Sequence, residues 1–151
     1  MWWLLVCVAV IGYCVYHKQK HNIPWHIVGR KFRQFFRFRT WIPQGNVRDW
    51  WVLGRWFDIG HVLGAIIIGL LLVIFGLPVK WLMLVGLFLY FICWEGIAEA
   101  GTKDKVLPWE WGDLVSDAIG FGVIYLFHYV AQAMVTQCPV CCMQLISHEC
   151  N

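Results

Sequence analysis

The chain has 151 residues, 60% of them apolar and only 14% charged, which excludes an ordinary soluble globule and fits one compact membrane-embedded bundle. The net charge of +3 conceals an asymmetry, because nine of the twelve Lys and Arg fall between His17 and Trp56. Such a basic, aromatic-rich stretch can signal nucleic acid, but apolar runs flank this one, so the expected partners are membrane lipids with anionic headgroups and no nucleic acid.

Residues 1–16, MWWLLVCVAVIGYCVY, are expected to form an N-terminal transmembrane anchor. The run is shorter than the ~20 residues of a typical span, but its polar flank can extend it. It lacks the basic n-region and small-residue cleavage site of a signal peptide, so it reads as an uncleaved anchor with its N-terminus outside.

Residues 17–55 form the second region, a basic amphipathic interfacial segment. Pro24 can open a helix, and Val28, Phe32, Phe35 and Phe36 then share one face. Arg30, Lys31, Arg33, Arg37 and Arg39 are expected to face anionic lipid. The stretch from Ile42 to Arg55, with Pro43 and Gln44-Gly45-Asn46, reads as a turn before the next span.

Residues 56–136 supply three further spans. Trp56–Leu77 is apolar apart from Asp58 and His61 at its start, and its Gly60 and Gly64 would admit a neighbouring helix closely. Leu77-Pro78-Val79-Lys80 is a turn, and Trp81–Ala100 is apolar until Glu95. A polar loop over Gly101–Gly112 leads into Asp113–Thr136, where His128 reads as a packed or interfacial histidine. Most tryptophans fall at the ends of apolar runs, as in an interfacial belt.

Residues 137–151 are a Cys-rich tail with Cys138, Cys141, Cys142, His148 and Cys150. These are zinc-ligand types, but their spacing matches no zinc module, and disulfides or acylation compete as explanations.

The expected fold class is therefore all-α, a polytopic membrane helical bundle of about four transmembrane helices plus a basic interfacial segment. Four crossings place eleven of the twelve Lys and Arg on one side, which the positive-inside rule makes cytoplasmic, with both termini outside. Parity then brings the start of the second span, the end of the third and the start of the fourth to the same face. Asp58, His61, Glu95, Glu99, Asp113 and Asp117 should converge there. The spacing of four within Glu95/Glu99 and Asp113/Asp117 puts each pair on one helix face.

Acids entering hydrocarbon are costly, so they usually face a bundle interior, pair, or line a pathway. Packed carboxylates repel one another, and a divalent cation on hard oxygen ligands would relieve that repulsion. His61 could instead act as general acid or base, its ring oriented by a carboxylate. The bland alternative is that the acids cap helices and pair with Arg55, Lys103 and Lys105.

The pattern Asp58-Ile59-Gly60-His61, then Glu95 with Glu99, then Asp113-x-x-x-Asp117-x-x-Gly120, resembles the VanZ-like family of small bacterial membrane proteins over roughly residues 56–128. Ala98 stands where the family commonly has Gln, and the loop Arg has no clear counterpart. The resemblance implies a cell-envelope role in the bacterial cytoplasmic membrane, without a settled chemistry. The chain also loosely resembles bacterial diacylglycerol kinases, small helical lipid kinases, although Gly112 stands where a Lys-Asp pair would precede the last span. The leading expectation is a VanZ-like protein that binds a lipid headgroup or lipid-linked intermediate at the acidic/His cluster. A non-enzymatic structural or assembly protein, including a phage-encoded one, is the competing class. A transport pathway through so few spans would require a homo-oligomer.

Overall fold

The computed structural model describes residues 1–44 and 51–148, with side chains as far as Val135. The described part is all-helical. Helix α1 is Trp3–Lys20, α2 is Trp25–Phe35, α3 is Ile59–Ile74 and α4 is Leu82–Leu87, and α5 is Trp111–His148. Helix α4 continues without a break into a π-helical segment, Phe88–Ala98, so the whole rod runs Val79–Ala98.

Among the described residues, two helical stretches are long and apolar enough to cross a membrane, Val79–Ala98 and Trp111–Val135, and Ile59–Ile74 is a shorter apolar helix. Helix α1 runs past the expected limit of residue 16 and carries His17, Lys18 and Lys20 in its last turn, which dilutes its apolar character. Helix α5 likewise runs on through the segment expected to be a separate tail. The side chains of its cysteines lie outside the described residues, and with them the zinc and disulfide readings.

Two helices end by the same chemistry. At the end of α3, Gly76 takes a φ of +91°, its N–H donates to Val73 O (2.9 Å), and Leu77 N–H donates to Leu72 O (2.8 Å). At the end of α1, Asn22 takes a φ of 53°, its N–H donates to Gln19 O (3.0 Å), and Ile23 N–H donates to Lys18 O (3.1 Å). Both are Schellman caps: a left-handed residue that tolerates positive φ, a buried apolar residue, then proline. Pro24 and Pro78 are accordingly the residues that precede the next helical turn, with extended backbone, rather than first helical residues.

Helices α3 and α5 form the most extensive contact. Around Ala65, Leu72, Leu89, Phe121 and Ile124 they build the main core with α4. The close approach is at Gly120, where an added Cβ would stand 2.6 Å from both Ala65 Cβ and Val62 O. Gly64, expected to admit a helix, instead receives the phenol of Tyr90, and Gly60 lies against the Asp58 carboxylate. Gly120→Val should therefore destabilise the protein by about 1–3 kcal/mol, the usual range for overpacking. Gly122→Val shares the change in helix propensity but meets nothing within 4 Å, so thermal unfolding of both variants in detergent isolates the packing effect.

Helix α2 differs from expectation in its orientation. Its buried residues are Ile27, Val28 and Lys31, and they pack inward with Ile23, Phe32, Ile97 and Ala100 rather than facing lipid. Phe36, the residue that ends the helix, stays exposed on the outside of the bundle. Trp109 departs from the interfacial-belt expectation: it is 0% exposed, packed among Trp41, Phe91 and Phe35, and its indole N–H donates to Lys31 O at 2.9 Å.

Candidate functional site

The start of α3, the end of the π-helical segment and the start of α5 meet at one end of the bundle. Asp58 caps α3: its Oδ1 accepts the His61 backbone N–H at 3.2 Å. Its own backbone N–H donates to Ser116 Oγ on α5 at 2.7 Å, fixing the two helix starts together. The segment after α2 crosses above them. Ile42 N–H donates to Trp109 O (3.0 Å) and Trp111 N–H donates to Ile42 O (2.9 Å), which sets Gln44 over the site. There the Gln44 amide donates to Asp58 Oδ2 at 3.1 Å and to Asp113 Oδ1 at 3.2 Å, and its carbonyl oxygen sits against Gly112, where an added Cβ would push the Gln44 side chain aside.

His61 is held between two acids one helical turn apart on α5. Its Nδ1 is 3.0 Å from Asp117 Oδ1, and its Nε2 is 3.6 Å from Asp113 Oδ1. Asp117 is 0% exposed, and its Oδ2 has no hydrogen-bond partner among the described residues. Ligand atoms of Asp58, His61 and Asp113 all lie within 4.8 Å of one another, a grouping that could hold one metal ion. Two ring states fit this geometry. An imidazolium would donate to both acids, whereas a neutral ring with its proton on Nδ1 toward Asp117 would leave Nε2 a lone-pair ligand beside Asp58 and Asp113. The second state is the carboxylate–histidine–metal arrangement, with hard oxygen donors beside one imidazole.

Behind this group lies a buried ion pair. Lys31 Nζ is 3.2 Å from Glu95 Oε2, with the two side chains 2% exposed each. The ammonium also donates to Pro108 O (3.2 Å) and Glu99 O (3.4 Å) and stands 4.9 Å from the centre of the Trp109 ring. Asp113 lies against Glu95, so the pair connects through that acid to His61.

The site opens as a cavity of about 340 Å³ whose walls include Asp58, His61, Tyr90, Glu99, Glu110 and Asp113. Among the described residues that line it, the charged ones are acidic, with His61 the one basic side chain. Of the six predicted residues, Asp58, His61, Asp113 and Asp117 come together directly. Glu99 lines the cavity but lies just past the helical segment, so it parts from Glu95, which is turned to Lys31. Gln44, Ser116, Tyr90 and Lys31 belong to the constellation without having been assigned to it. Lys31, placed among the lipid-facing basic residues, is 1% exposed and faces inward, whereas Arg30, Arg33, Arg37 and Arg39 remain exposed. Only the acid spacing in the sequence could have hinted at Lys31, as the partner a buried Glu95 requires.

No protein-family model, curated protein or solved structure matches this chain.

Proposed function

We propose that the cavity binds a divalent cation through Asp58, His61 and Asp113 and, through that cation, the phosphate of a lipid headgroup. The observation that carries this is the ligand geometry: three donors within 4.8 Å of one another, opening on a cavity whose described charged walls are acidic. Such a wall repels a bare phosphate and attracts a cation, so an anionic headgroup would enter only with the metal. A hard ion such as magnesium is commonly held in this way, by one or two carboxylates plus substrate phosphate. Tyr90, whose ring lies 5.5 Å from His61, would border the headgroup.

In this reading the chain is a VanZ-like integral membrane protein of the bacterial cytoplasmic membrane. It crosses four times, with both termini outside and the site at the cytoplasmic face. Exposed Arg30, Arg33, Arg37 and Arg39 would gather anionic lipid beside it. A purely structural role is the second reading, favoured by Asp58, which does cap α3.

Manganese binding to the detergent-purified protein, followed by calorimetry and by the loss of the free-ion electron-spin signal, separates the two. The expected result is saturable binding, weakened at least ~10-fold in Asp113→Asn. Binding should also make retention of phosphatidic acid dependent on manganese. A wild-type protein that takes up no manganese, or an Asp113→Asn variant that binds it equally well, would leave the structural role.

A further inference from the structure

The acidic cavity borders an apolar groove. Tyr90 and Trp94 line the cavity and also line a groove of about 380 Å³ between α1 and α3. Its walls are Val6 and Val10 on one side and Ile68 and Leu71 on the other. The groove is open sideways: Tyr13, Leu71 and Phe75 at its lips are 54%, 38% and 43% exposed. From His61 to Phe75 the axis of α3 runs about 21 Å at 1.5 Å per residue. Ile68 to Phe75, the stretch that lines the groove, accounts for about 10 Å of this, roughly a third of an apolar layer about 30 Å thick.

Resting on the cation-and-phosphate reading of the cavity, we infer that the ligand is a phosphate-headed lipid that enters sideways from the bilayer and lays one chain in the α1–α3 groove. Neither half of the path selects this ligand alone. A free phosphate gains nothing from the apolar walls, and a neutral hydrocarbon gains nothing from the acids. A chain and a head joined within one molecule satisfy both, and the two shared aromatics mark the junction, where amphipathic rings favour a boundary between wet and apolar surroundings. A second apolar groove, of about 630 Å³ beside Trp81 and Phe88, shares no lining residue with the acidic cavity and so offers a chain no route to the head site.

The test uses the full-length protein in phosphatidylcholine nanodiscs with manganese and a trace of phosphatidic acid bearing a diazirine at one chain end. After irradiation, the adducts are mapped by mass spectrometry. They should fall on residues 6–14 and 68–75. Ala9→Trp, which fills the groove from the exposed wall of α1, should lower them roughly tenfold or more and leave manganese binding unchanged. Leu71→Trp does the same from the opposite wall and guards against a variant that fails to fold. Adducts centred on Trp81–Phe88, adducts undiminished in both variants, or links between two protein chains through the groove would overturn the inference. Groove adducts in a wild-type protein that binds no manganese would instead remove the cation reading while the chain remained in its groove.

Discussion

Lys31→Met should destabilise the protein by about 3–5 kcal/mol, and adding Glu95→Leu to it should restore most of that loss. The two side chains sit 3.2 Å apart and 2% exposed, so removing the ammonium leaves the Glu95 carboxyl group in the interior without its cation partner, with Asp113 already beside it. Methionine keeps the length and packing of the lysine stem, which confines the change to the charge. In the double variant no buried charge is stranded, and an apolar pair of similar volume is often as stable as the ion pair it replaces. Glu95→Leu alone leaves the ammonium with the Pro108 and Glu99 carbonyls and the Trp109 face, so its cost should be smaller than that of Lys31→Met. Chemical unfolding of the four proteins in detergent gives the cycle directly. Additive losses, or a Lys31→Met cost under ~1 kcal/mol as for exposed pairs, would mean that Lys31 faces solvent.

The same pair shows where sequence reasoning stops. Long apolar runs and their polar breaks suffice to place α3, the α4 rod and α5 as helices. Parity along the chain then brings Asp58, His61, Asp113 and Asp117 to one end, and no tertiary knowledge is needed for that step. Which lysine turns inward is a different kind of question. Lys31 stands amid Arg30, Arg33, Arg37 and Arg39 with nothing local to single it out. The buried face of α2 runs through Ile27, Val28 and Lys31, a rotation away from the phenylalanine face that hydrophobicity favours. Gln44 is equally silent in sequence, since it reaches the site through backbone pairing of Ile42 with Trp109 and Trp111, a contact between segments far apart in the chain. Trp109 has the residue type and the loop position of an interfacial anchor, and its burial follows from α2 folding over it.

Asp117→Asn should weaken manganese binding by roughly 10–100-fold although Asp117 is not among the three residues close enough to share the ion. The argument turns on the ring of His61. With a carboxylate 3.0 Å from Nδ1, the neutral ring keeps its proton there and turns the Nε2 lone pair toward Asp58 and Asp113. An asparagine can present its NH2 group to Nδ1 instead, which favours the opposite tautomer and aims an N–H at the place where the ion would sit. Shape and volume barely change, so the thermal midpoint should move little while affinity falls. Asp113→Asn removes a ligand outright and should cost affinity at least as much. His61→Gln, which removes the ring, should make the further change at Asp117 nearly neutral, because the carboxylate then has no tautomer to select. Independent, additive losses at 61 and 117 would show that Asp117 acts on the ion by charge alone, and unchanged binding in Asp117→Asn would take His61 out of the ligand set.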